Sequence, residues 1–153
     1  MPNFIKLVIS ISFTLGVGFL GSLATTPAID SWYKTLEKPF FNPPNWIFAP
    51  VWTLLYVLMA IAFYLIWISG KKIKKPAILY VIQLFLNLFW SILFFGLKIP
   101  SVALLEIIIL WIFIVLTAQS FYKINRLASY LLIPYLAWVS FAALLNYFLV
   151  LLN

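Results

Sequence analysis

The chain has 153 residues, 66% of them hydrophobic, 20% aromatic and 8% charged, with a formal net charge of +7. A soluble domain of this length is mostly surface and cannot hide so much apolar material, so the composition excludes a water-soluble fold. Cysteine and histidine are both absent, which excludes disulfides, thiolate or imidazole metal sites, haem ligation by those residues, and Ser-His-Asp or Cys-His catalysis.

The apolar runs are continuous and about twenty residues long, the length of helix that crosses a bilayer core of roughly 30 Å. A membrane β-barrel would instead alternate over shorter stretches. The expectation is an all-α membrane protein, a five-transmembrane-helix bundle, with residues 1–153 forming one domain. Span one covers about residues 4–26. Its apolar run is long for a signal peptide, so it is read as a retained helix. Gly18 and Ser22 form a small-xxx-small pair on it, which lets another span or a second protomer come close, and a homodimer is therefore one expectation.

Loop one, residues 27–45, is long for so small a bundle, which marks it as functional. From Trp32 to Tyr56 the chain carries Trp32, Trp46 and Trp52 together with Pro39, Pro43, Pro44 and Pro50. Proline stiffens this segment and delays the next helix until Pro50 is absorbed near its start. Indole and phenol rings favour the membrane–water boundary. A stiff aromatic cap over the mouth of a bundle points to a site for a flat apolar ligand.

Span two covers about residues 46–69 and offers Trp52 and Tyr56 at i and i+4. A basic turn, Lys71, Lys72, Lys74 and Lys75, leads into span three, about 77–97. There Gln83, Asn87 and Trp90 share one helical face. Span four, about 101–122, holds Glu106, the one acid within a span. It reads either as a proton-coupled group or as an interfacial carboxylate snorkelling toward Lys98. Span five, about 128–152, places Trp138, Ala142 and Asn146 on one face. If these faces point inward, indoles and carboxamides line a common cavity, with Ala142 leaving room. The alternative is that the amides only glue helices together.

Short links make the spans antiparallel. Lys6, Lys71, Lys72, Lys74, Lys75, Lys123 and Arg126 fall on one side of the membrane, and Lys34, Lys38 and Lys98 on the other. That bias predicts a multi-pass cell-membrane protein with its N-terminus inside and loop one and the C-terminus outside. The cations flank spans, so they are read as partners of membrane lipid and not of nucleic acid.

At these residues the chain resembles the tryptophan-rich sensory protein/translocator protein family (TspO, the peripheral-type benzodiazepine receptor). The matching stretches are Trp32-Tyr33 through Leu36, Lys38-Pro39, Pro43-Pro44, and Pro50-Val51-Trp52 with Leu55-Tyr56. Span three contributes Gln83-Leu84, Leu86-Asn87, Trp90 and Phe94-Phe95-Gly96. Span five contributes Leu131-Leu132, Pro134-Tyr135, Trp138, Phe141-Ala142 and Leu145-Asn146.

The resemblance implies a membrane receptor or carrier whose pocket under loop one binds porphyrins such as protoporphyrin IX. It further implies Trp52, Asn87, Trp90, Trp138 and Ala142 as pocket residues, with Trp32 in the cap. Tyr56, Gln83 and Asn146 join them from the facing analysis, and Lys38 and Asn87 are expected to meet the propionates. No cofactor is expected; the porphyrin is the ligand. Two alternatives follow from the same resemblance. One is light-dependent porphyrin degradation with Trp32 and Trp138 as the catalytic candidates. The other is transport of a tetrapyrrole or similar lipophile, against which the lack of an internal repeat argues. Related members bind cholesterol and synthetic benzodiazepine or isoquinoline carboxamide ligands. No basic residue follows Tyr147, so sterol is not expected here; a looser pattern runs from Leu116 through Tyr122 to Arg126.

Overall fold

The structure, a computed structural model, describes residues 1–153 and is helical throughout. Helix α1 runs Asn3–Ile29, α2 Phe48–Trp67, α3 Lys74–Ser91, α4 Pro100–Tyr122, α5 Arg126–Tyr130 and α6 Ile133–Leu152. Five segments have the length and apolarity to cross a membrane, the fifth being α5 and α6 together. This is a multi-pass membrane protein.

Proline sets where the later spans begin. Pro50, Pro76, Pro100 and Pro134 each lie in the first turn of a helix, where the missing N–H has no partner to lose. Pro134 also divides the fifth span. It has no N–H for the Tyr130 carbonyl, so the helix expected to run unbroken over 128–152 stops at Tyr130 and restarts at Ile133. Asn125 caps α5 by accepting a bond from the Ala128 N–H at 3.0 Å. The first span outlasts its expected end at residue 26, because Pro27 falls in its last turn and costs one bond only.

The helices close into a ring in which sequence neighbours are not always spatial neighbours. Helix α1 packs between α2 and α3, α4 packs between α3 and α6, and α2 completes the circuit against α5 and α6. The half of the bundle away from loop one is filled. Ser10 Oγ donates to the Ala60 carbonyl at 2.7 Å, and the Thr14 and Tyr80 hydroxyls lie 2.7 Å apart. Phe63 stacks on Tyr80 at 4.7 Å, and Tyr80 on Phe121 at 6.0 Å. Small residues and interhelical hydrogen bonds take the place of hydrophobic collapse, which lipid does not supply. Apolar side chains such as Phe4, Phe13, Leu105 and Ile109 cover the outside.

Candidate ligand-binding cavity

The half beneath loop one is hollow. A cavity of about 350 Å³ lies among α1, α2, the end of α3 and α6, within the size range of small-molecule sites. Trp52 and Tyr56 come from α2, their rings 5.8 Å apart. From α6 come Trp138, Phe141, Ala142 and Asn146. The end of α3 gives Trp90, Phe94 and Phe95, with Phe94 stacked on Trp90 at 5.1 Å. A π-helical turn, Ile92–Gly96, carries the two phenylalanines. Phe94 follows Trp90 by four residues and keeps its face, while Phe95, one position on, reaches the lining where the extra residue per turn rotates the register.

Helix α1 contributes the thin wall, which sequence reasoning read only as a close-packing motif. Gly18, Gly21, Ser22, Thr25 and Thr26 line it. A Cβ on Gly18 would come within 2.6 Å of the Tyr56 ring. The glycine is therefore what lets that ring lie against α1. The Gly18–Ser22 pair thus serves a contact inside this chain.

No charged side chain lines the cavity. Three of its hydroxyl protons are committed to their own helices: Ser22 donates to the Phe19 carbonyl, Thr25 to Gly21 and Thr53 to Ala49. These oxygens offer lone pairs and no charge. Trp138 Nε1 is buried with no hydrogen-bond partner, which leaves one indole donor uncommitted in the wall.

Two amides brace the walls, Asn87 from behind and Asn146 from within the lining. Tyr56 donates its hydroxyl to Asn87 Oδ1 at 3.1 Å, and Asn87 Nδ2 donates to the Tyr135 hydroxyl at 2.8 Å. Asn87 is buried behind Tyr56 and is not itself in the lining. Asn146 accepts from Trp90 Nε1 at 3.1 Å and donates to the Pro100 carbonyl at 2.9 Å. Gln83 lies deeper, its Nε2 3.8 Å from Met59 Sδ.

Loop one roofs the cavity through Tyr33 and, at its junction with α2, Phe48. Tyr33 donates to Asn42 Oδ1 at 2.7 Å. Burial pushes its phenol up to about 12, so it stays a neutral donor. Phe41 packs on Phe141 and Phe148 of α6. The Asn153 amide clamps the Glu37 backbone, donating to its carbonyl at 2.9 Å and accepting from its N–H at 3.0 Å. Trp32 sits outside the lining with its ring edge-on to Phe94 at 5.6 Å. Of the two indoles considered for photochemistry, then, Trp138 reaches the cavity and Trp32 does not.

Two expectations need correction. Lys38 is not at the cavity, because its ammonium donates to the Leu36 carbonyl at 3.0 Å and lies over the Tyr33 ring. Asn87 is likewise outside the lining, so neither residue reaches propionates inside the pocket. Glu106 does not snorkel toward Lys98. It follows Ala103 and precedes Leu110 on the packed face of α4, and both its carboxylate oxygens are buried without a partner.

The cavity opens sideways. Its exposed lining residues are Phe19 and Thr26 of α1 and Ala49 and Thr53 of α2. Every lining residue from α3 and α6 is buried or half-buried. Phe19, 64% exposed, stands ten residues before the end of α1, roughly 15 Å below it at the helical rise. The gap therefore lies at bilayer depth.

Comparison with known proteins is consistent along the whole length. The model of the TspO/MBR family matches residues 10–152. The chain is 46% identical to the tryptophan-rich protein TspO of Archaeoglobus fulgidus over 99% of each chain, and 45% identical to the protein of the same name from Chlorobaculum tepidum over 97% and 96%. It is 40% identical to the translocator protein of Bos taurus over 85% of this chain and 79% of that one.

Proposed function

This chain belongs to the TspO/MBR family, and on that premise we propose that it is a membrane receptor or carrier for a flat, π-rich lipophile of the porphyrin class, protoporphyrin IX among them. The observation that carries this reading is an uncharged aromatic cavity at bilayer depth, open toward lipid while its aqueous roof is tied down. Indole and phenyl faces from three helices suit a macrocycle by stacking. A cavity without charges takes the apolar ring and leaves carboxylates outside it. The absence of histidine and cysteine favours a metal-free ring held by shape over one held by its iron. The cationic end opposite loop one supports an orientation with the N-terminus inside.

Protoporphyrin IX added to the purified chain should quench tryptophan fluorescence saturably, and replacing Trp52 and Trp138 together by phenylalanine should remove most of that quenching. Equal quenching by the two proteins eliminates the cavity as the site. The sideways gap adds a kinetic test: at fixed total ligand, the association rate should follow the amount of ligand per lipid and not the aqueous concentration.

A further inference from the structure

A second concavity lies on the opposite half of the molecule, on the outer surface between α4 and the broken fifth span. It is a shallow groove of about 470 Å³, lined by Val115, Ala118, Tyr122, Lys123, Ser129 and Leu136 among others. Helix α5 is drawn onto α4 by Ser129, whose Oγ donates to the Ala118 carbonyl at 2.7 Å. Helix α6 restarts at Ile133, and its Leu136 closes the other side of the groove.

The groove has apolar walls at Val115, Ala118 and Leu136, carries Gln119 between them and Lys123, and is cationic at its head. Lys123 lines it. The Arg126 guanidinium, outside the lining itself, sits 5.4 Å from the centre of the ring of Tyr122, which lines it, a cation–π contact. Lys71 Nζ donates to the Ile124 carbonyl at 3.2 Å, which brings the basic turn of residues 71–75 alongside. No acid balances this end: Asp30 and Glu37 belong to loop one, and Glu106 to the half of α4 nearest it. Along α4, Val115 lies eight residues from Lys123, roughly 12 Å at the helical rise. That carries the groove from headgroup level into the hydrocarbon.

We propose that this groove is a binding site for an anionic glycerophospholipid, with the phosphate between Lys123 and Arg126 and one acyl chain along Ala118 and Val115. A zwitterionic lipid would bring its own ammonium into a cluster that holds only cations. A sterol has no phosphate to meet them, although the Leu116–Tyr122–Arg126 pattern proposed for sterols shares Tyr122 with the groove. The site is independent of the aromatic cavity and does not rest on porphyrin binding.

The test is competitive lipid retention by the purified full-length chain, counted by native mass spectrometry, with phosphatidylglycerol, phosphatidylcholine, cholesterol and inorganic phosphate as probes. Phosphatidylglycerol should be retained in preference to the other two lipids, and inorganic phosphate should not displace it. Lys123→Gln with Arg126→Gln should weaken retention by roughly tenfold or more, given the attraction of each surface cation for anionic lipid. Lys72→Gln with Lys75→Gln removes the same charge from the same end but from outside the lining, and should weaken retention far less than the first pair. Ala118→Phe, which fills the groove without altering charge, should also abolish it, with the thermal unfolding profile reporting that the variant is folded. Equal losses from the two charge pairs would reduce the effect to general surface attraction. Preferential retention of cholesterol, or displacement by phosphate, would likewise overturn the proposal.

Discussion

The two halves of the bundle are built from the same residue types and end in opposite states. In the half beneath loop one, aromatic rings stand around an empty space. In the other half, Phe63, Tyr80 and Phe121 stack directly on one another and Ser10 and Thr14 stitch helices together. Lipid does not squeeze helices together as water does, so a hollow survives wherever its walls are held in place. Asn87 and Asn146 do the holding here, each spending both ends of its amide on neighbouring helices. The polar residues of the hollow half are struts, and those of the filled half are staples.

Four measurements bear on that contrast. The largest effect is expected from Tyr80→Ala. Deleting a buried ring from the filled half should cost about 3–5 kcal/mol of stability, whereas Trp138→Ala at the hollow should cost less than half as much in the same thermal assay while removing porphyrin quenching. Comparable losses from both would mean that the hollow is closed in the membrane. Next, Gly18→Ala drives a methyl into the Tyr56 ring and should cost about 1–3 kcal/mol by overpacking, with ligand affinity falling as the ring turns into the cavity. Asn87→Leu leaves the Tyr56 and Tyr135 hydroxyls unpaired and should cost about 1–3 kcal/mol; a ligand titration should show a weaker, broader transition because the wall is no longer fixed. The smallest is Thr14→Val, which removes one interhelical bond and should cost about 0.6 kcal/mol, with ligand affinity unchanged.

Loop one adds a pH-dependent handle on the hollow half. The Tyr33 phenol is raised from its ordinary 10.0 to about 12 by burial. The folded state therefore holds the proton longer than the unfolded chain. The contribution of that side chain is complete below pH 10.0 and is lost as pH rises through about 12. Alkaline titration of the wild type should release the lid in that window, seen as an increase in the quenching of tryptophan by an aqueous quencher. Tyr33→Phe should show no such window.

Span number and span starts were legible because they rest on local physics: apolar runs of helix length, and prolines that fit only a first turn. The inward faces of Trp52, Trp90 and Trp138 were legible from four- and three-residue spacing together with the family resemblance. Phe94, four residues after Trp90, continues the same face, whereas Phe95 does not and reaches the lining where the π turn rotates the register. The α1 wall was missed for a different reason. A glycine marks close approach without saying to what, and only the ring order of the helices sets Gly18 against Tyr56. Lys38 and Glu106 were misplaced because charge and depth alone do not say which carbonyl or which packed face a long side chain will find.

The gap between α1 and α2 has a quantitative corollary. A receptor filled from its flank reads a mole fraction in a two-dimensional phase. Any compound that partitions into the bilayer arrives concentrated by its partition coefficient before it touches an indole. Weak intrinsic contacts are then enough for high occupancy, and changing the lipid around the protein rescales its apparent sensitivity without altering a single residue.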